Sequence, residues 1–168
     1  MHVSQYKQNS LVIVVLSAVF LLAGCLGAGA KSSGLSNFAL KENAARKLNV
    51  DINKLVIDSS GLEWIVRKEG KGDKPKKGEG IVANYTGYLL ENGRKFDSSY
   101  DRDRPFVEAI GVGKVIKGWD IAFLGMRVGE RRVLFIPPEL AYGDRGVGQK
   151  IPPDAALVFD VELIRVIK

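Results

Sequence analysis

The sequence predicts an α+β fold, a twisted antiparallel β-sheet wrapped on a single short α-helix, preceded by a signal peptide and a short tether with one further helix. Three observations carry this reading. From Gly61 onward, short alternating apolar and polar runs are broken by Gly and Pro, as in strands and turns. Leu157, Phe159, Val161 and Leu163 recur at every second position, so they share one face of a long final strand and should face one core. In the same stretch only Gly118-Trp119-Asp120-Ile121-Ala122-Phe123-Leu124 spaces its apolar residues as a helix does.

In chain order, the first residues read as an address. His2 and Lys7 make a weakly basic start, Leu11 to Ala23 is almost wholly apolar, and Leu22-Ala23-Gly24-Cys25 follows at once. So short an apolar run falls below the roughly 20 residues that span a bilayer, which favours a cleaved signal peptide over residues 1–24 above an uncleaved anchor. The LAGC run resembles a bacterial lipobox, in which the cysteine becomes the lipidated N-terminus. Lipid on Cys25 would tie the chain to a membrane. Leu26, in place of an Asp, suits an outer-membrane location on either face where the cell has one. Gly27 to Gly34 reads as a flexible tether. Ser36 to Leu48 reads as a short helix, with Ser36 as N-cap and Phe38, Ala44, Ala45 and Leu48 on one apolar face. That helix is too short to be a domain; a helix packed on the domain or a frayed stalk is expected ahead of a dimerisation device, and a monomer overall. Residues 25–60 thus form an appendage to a domain at residues 61–168.

Within that domain, Leu62 to Val66 and Ile81 to Leu90 are strands, with a Lys-, Gly- and Asp-containing loop from Glu69 to Glu79 between them. Asn92-Gly93, set between Leu89-Leu90 and Lys95-Phe96, is a strong two-residue hairpin signal, because such a turn needs positive φ at both positions. This hairpin brings Tyr85 and Phe96 together. Phe106 to Ile110, Arg131 to Ile136 and Ala156 to Val166 complete the sheet.

Composition narrows the chemistry. The formal charge of +6 is spread among acidic residues rather than gathered in a block, and no nucleic-acid reading motif is present, so no nucleic-acid partner is expected. His2 is the only histidine and Cys25 the only cysteine. Ser-His-Asp and Cys-His catalysis, a His/Cys metal site and an internal disulfide are therefore excluded from the body of the protein. No cofactor is expected. Carboxylates, hydroxyls, backbone and shape are left to act.

Several short motifs then appear in order: Asn84-Tyr85-Thr86-Gly87, Lys95-Phe96-Asp97-Ser98-Ser99, Asp101-Arg102, Arg104-Pro105-Phe106, Val115-Ile116-Lys117-Gly118-Trp119, Val128-Gly129-Glu130, Ala141-Tyr142-Gly143, Ile151-Pro152-Pro153 and Leu157 to Leu163. With them, Gly61 to Lys168 resembles an FKBP-type peptidyl-prolyl cis/trans isomerase domain over its whole length. The resemblance implies a substrate pocket walled by Tyr85, Phe96, Phe106, Val115, Ile116, Tyr142, Ile151 and Phe159, with Trp119 as its floor. It implies catalytic roles for Asp97 beside the rotating amide, and for the Tyr142 hydroxyl and Ile116 N–H on the carbonyls of a bound peptide. It further implies pairing of Arg102 with Asp97, proline-containing polypeptides as clients and rapamycin-like macrolides as inhibitors.

Physical chemistry asks for the same residue types. Rotation about an X-Pro bond is opposed by a resonance barrier of about 18–20 kcal/mol and breaks no bond, so a dry aromatic pocket with placed polar groups is sufficient equipment. Taken singly, Phe96, Phe106, Phe159 and Trp119 also read as plain core aromatics, Asp97 as a turn or capping residue, and Tyr85 and Tyr142 as half-buried tyrosines with wet hydroxyls. A non-catalytic peptide-binding or chaperone module on the same scaffold is the competing function. The chain departs from the family at Glu108, where many members carry a second aromatic, at Lys150, and in the loop Asp144 to Gln149. Glu108 implies a more acidic pocket rim and a preference for a basic residue beside the proline.

Overall fold

A computed structural model describes residues 33–168. The signal peptide, Cys25 and most of the tether lie outside the described residues. The described elements run α1 (Ser33–Lys47), β1 (Val56–Ile57), β2 (Glu63–Lys68), β3 (Gly80–Leu89), β4 (Lys95–Ser98), β5 (Phe106–Ala109), α2 (Lys117–Gly125), β6 (Arg131–Ile136) and β7 (Leu157–Ile167), with single 3-10 turns between several of them. All strand pairs are antiparallel. The strand order is β1-β2-β6-β7-β3-β4, with β5 also paired to β3. β3 is the hinge of the architecture: β7 lies along its whole length, while its other edge is shared by β5 near the start and β4 near the end.

The period-two pattern of the last strand does what it predicts. Leu157, Phe159, Val161 and Leu163 are all buried and pack with Ile81, Ala83, Leu134 and Ile136 against Trp119, Ala122 and Phe123 of α2. At the start of α2, a Cβ on Gly118 would stand 2.7 Å from Cγ2 of Ile136. Its absence lets the helix settle close on β6 and brings Trp119 down to the sheet.

The opposite face of the sheet has its own small core. Ala45 of α1, flanked by Leu40, Ala44 and Leu48, packs on Ile65, Leu90, Val133, Phe135 and Val158. Lys41 donates to Glu63 at 2.7 Å and Lys47 to the Gly93 carbonyl at 2.7 Å, which ties the middle and the C-terminal end of α1 to the domain. The packed-helix reading therefore holds, with two corrections. The helix starts at Ser33 and absorbs the last residues of the expected tether, so Ser36 is inside it and is not its N-cap. Phe38 is 52% exposed and takes no part in the cluster that Leu40, Ala44, Ala45 and Leu48 form with the sheet. The described residues, through Lys168, belong to one compact unit.

The β3–β4 connection also differs from expectation. Only Gly93 takes a positive φ (66°), and Asn92 does not. Instead of a two-residue turn, the chain makes a wider loop in which Leu89 N–H donates to the Arg94 carbonyl and Arg94 N–H to the Asn92 side chain, both at 2.9 Å. Asn92 serves the turn through its side-chain oxygen.

Candidate active site

The wider turn shapes the site. In the β3–β4 ladder Gly87 pairs with Asp97 but Tyr88 pairs with Lys95, so Phe96 is an extra, bulged residue. A bulge of this kind re-aims side chains, and here Phe96 and Asp97 both reach the same cavity although they are sequence neighbours. Gly87 makes room for it: a Cβ there would lie 2.6 Å from Phe96 Cζ and 2.8 Å from Phe159 Cε1.

A cavity of about 210 Å³ opens over α2. Trp119, 5% exposed, forms its floor, with ring centroids of Tyr85, Phe106 and Phe159 at 5.0, 5.0 and 5.2 Å and interplanar angles of 73–84°. These edge-to-face contacts hold the indole between three other rings. Phe123 supports the floor from the core side at 5.5 Å, and Phe96 meets Phe159 edge-on at 5.5 Å. Val115, Ile116 and Tyr142 complete the wall. The cavity thus gathers every sequence-predicted pocket residue except one.

That exception is Ile151. It is 4% exposed and packs in the core without lining the cavity. Val147 and Ile151 form an isolated bridge, with hydrogen bonds of 2.7 and 3.1 Å in the two directions. Closing the Asp144 to Gln149 loop in this way makes Ile151 the loop's apolar anchor.

One wall of the cavity is polar. The Tyr85 hydroxyl donates to Asp97 Oδ2, Arg102 Nη1 donates to Asp97 Oδ1, and Arg102 Nη2 donates to the Tyr85 hydroxyl at 2.9 Å. The Ser98 N–H adds a bond of 2.9 Å to Asp97 Oδ1. The turn that delivers these groups is pinned beneath them. Ser98 and Ser99 are buried, Tyr85 N–H donates to Ser99 Oγ at 3.0 Å, and Ser99 N–H returns a bond of 3.0 Å to the Tyr85 carbonyl. The pairing of Arg102 with Asp97 follows the sequence expectation. The part played by the Tyr85 hydroxyl was not legible there, because it depends on the strand register.

Burial works to raise the Asp97 carboxyl, but the Tyr85 hydroxyl and then the Arg102 guanidinium outweigh it and hold the group below its ordinary range. Burial, reinforced by the hydrogen bond to Asp97, pushes the Tyr85 phenol from 10.0 up to about 12. The sign follows directly: the folded state favours the neutral phenol, so its contribution to stability is complete below pH 10.0 and is lost as pH rises toward 12. Ultraviolet titration of tyrosinate should therefore show a step near pH 12 in the wild type, and that step should lose one tyrosine in Tyr85→Phe. A Tyr85→Phe titration identical to the wild type would contradict the arrangement.

Ile116 and Tyr142, to which the resemblance assigns donor roles, both line the cavity. Ile116 sits just ahead of α2, its carbonyl taken by the Trp119 and Asp120 N–H groups at 2.9 and 3.2 Å. Among the described residues its own N–H has no acceptor. Tyr142, 39% exposed, leans over the cavity, where burial and then the Asp97 charge raise its phenol. The loop before α2 is held by Asp120, whose carboxylate accepts from the Gly111 and Gly113 N–H groups at 2.7 and 2.9 Å.

Sequence reasoning missed Lys114. This loop carries it to the cavity mouth, where its Nζ lies 3.2 Å from Glu108 Oε1. The rim is therefore not acidic as expected, because Glu108 meets a compensating cation.

Residues 71–164 match the family described as FKBP-type peptidyl-prolyl cis-trans isomerase. The chain is 54% identical over 99 residues to an FK506-binding protein of Neisseria meningitidis serogroup A, an overlap of 59% of this chain and 90% of that one. It is 57% identical over 93 residues to the peptidyl-prolyl cis-trans isomerase FPR2 of Saccharomyces cerevisiae, covering 55% of this chain and 69% of the relative. The crystal structure of AtFKBP13 superposes with a TM-score of 0.63 at 48% identity, over 66% of this chain and 97% of that chain.

Proposed function

The chain belongs to the FKBP-type peptidyl-prolyl cis-trans isomerases, and from that premise we propose that it turns X-Pro bonds of client polypeptides in the cell envelope, held to a membrane by lipid on Cys25. The observation that carries the catalytic part is the Trp119 floor, enclosed by Tyr85, Phe106 and Phe159, with the ionised Asp97 on the adjoining wall. The envelope part rests on the apolar run from Leu11 to Ala23 and the LAGC sequence that ends at Cys25.

The reaction needs differential binding and no covalent step. A planar amide keeps partial double-bond character and extra negative charge on its oxygen, and a twisted amide loses both. With the proline ring on Trp119, water that would favour the planar form is excluded, and the Asp97 carboxylate beside the amide penalises it further. The Ile116 N–H and Tyr142 hydroxyl hold the flanking carbonyls so that twisting occurs about one bond. Tyr85 and Arg102 keep Asp97 charged and oriented. The same pocket accommodates a macrolide of the kind that the relatives' name, FK506-binding protein, denotes, and the chain acts as a monomer.

Two measurements test this. Full-length chain carrying Cys25→Ser should accelerate isomerisation of a Leu-Pro peptide, and rapamycin should block it. A folded protein that leaves the rate unchanged would reduce the site to a peptide-binding module. In bacterial cells, labelled palmitate should enter the wild type and not the Cys25→Ser variant, and only the wild type should sediment with membranes. Equal labelling of both would remove the anchor.

A further inference from the structure

Rotation of a prolyl bond has no use for opposite charges at the mouth of the pocket, yet Glu108 and Lys114 stand there. Glu108 follows Phe106 by two positions on β5, so the wall aromatic and the carboxylate share a strand face. Lys114 comes from the loop clamped by Asp120. Their side chains are 36% and 59% exposed, and both line the cavity.

The pair is asymmetric. Glu108 Oε1 accepts the Ala109 N–H at 2.9 Å as well as the Lys114 ammonium at 3.2 Å, so the backbone fixes the anion. Among the described residues Oε2 has no hydrogen-bond donor. Lys114 ends a flexible four-carbon stem and is held only at its tip. The anion stays while the cation can leave.

Resting on the isomerase reading above, we propose that Glu108 is a specificity residue favouring clients with Lys or Arg directly before the proline, and that Lys114 is its built-in competitor. The residue before the proline is carried on the carbonyl of the rotating amide. With the ring against Trp119, its side chain stands at the mouth, where the charged pair lies. A basic side chain takes the open Oε2 or displaces Lys114, and an acidic one meets a like charge that cannot move away. Lys114 keeps the unoccupied mouth neutral.

The test is kcat/KM for peptides with Lys, Leu or Glu before proline, measured on the full chain in non-ionic detergent at low salt. Exposed ion pairs of this sort support a Lys-over-Glu ratio of about two- to fivefold in the wild type. That ratio should fall toward one in Glu108→Gln, widen in Lys114→Gln, and shrink in high salt as screening sets in. A wild-type ratio near one, or a ratio unchanged by Glu108→Gln, overturns the proposal. Were no peptide turned over, the isomerase reading would fail by itself. Tryptophan fluorescence titration with the same peptides would still rank their binding, and a flat ranking there would overturn the specificity role independently.

Discussion

Phe123→Ala should lower the free energy of unfolding by about 3–5 kcal/mol. Phe123 is fully buried on α2 and lies with its ring centroid 5.5 Å from that of Trp119, so it props the pocket floor from behind. Removing the ring leaves a void between helix and sheet, and Gly118 already holds α2 as close to Ile136 as the atoms allow. The helix therefore has little freedom to collapse into the gap. With typical domain stabilities of about 5–15 kcal/mol, the loss consumes much of the margin. Denaturant titration should show a lower midpoint at unchanged slope, and Phe123→Leu should cost less than about 1.5 kcal/mol. A Phe123→Ala variant within about 1 kcal/mol of the wild type would mean that the floor does not depend on this support.

The long strand and the single helix over the core were legible because each carries a complete period of its own. Leu157, Phe159, Val161 and Leu163 mark a face whatever surrounds them, and α2 reads as a helix without help from its neighbours. The other face of β7 was not legible. Val158 is buried there because α1 covers it, and Asp160 is buried because Arg131 binds it through two bonds of 2.7 Å, with Arg67 at 2.5 Å. Those partners come from far along the chain. A polar residue in an alternating strand gives no sign that two guanidinium groups will meet it.

The site divides in the same way. Its aromatic residues could each have been core, and only their joint order pointed to a pocket; in the structure they are both, since Trp119 and Phe159 are buried among the core residues and also line the cavity. What depends on backbone detail stayed hidden. The bulge at Phe96 decides that Asp97 faces Tyr85, and the Asp120 clamp on Gly111 and Gly113 decides that Lys114 reaches Glu108. Ile151 is set apart from the cavity lining by equally local detail: it bridges Val147 and packs among the core residues.

Asp97 is where the arrangement is most exposed to test. Asp97→Val keeps a side chain of similar width but removes the acceptor for the Tyr85 hydroxyl, the Arg102 guanidinium and the Ser98 N–H. Hydrogen bonds to charged groups contribute about 1.5–3 kcal/mol each, and about 1.4 kcal/mol corresponds to tenfold in rate. If most of one such interaction acts on the planar-to-twisted difference, kcat/KM for a Leu-Pro peptide should fall about ten- to a hundredfold. Arg102→Ala should cost less, because the Tyr85 hydroxyl still orients the carboxylate. Because the Tyr85 hydroxyl and Arg102 hold the carboxyl below its ordinary range, Asp97 stays ionised in the wild type through the neutral range, and activity should decline only as pH falls through that lowered value. Asp97→Asn separates charge from shape, since it preserves a side-chain oxygen in the same position. A drop in Asp97→Asn close to that in Asp97→Val assigns the effect to the negative charge beside the amide. Full activity in Asp97→Val would leave the aromatic floor and the exclusion of water as the whole of the catalytic device.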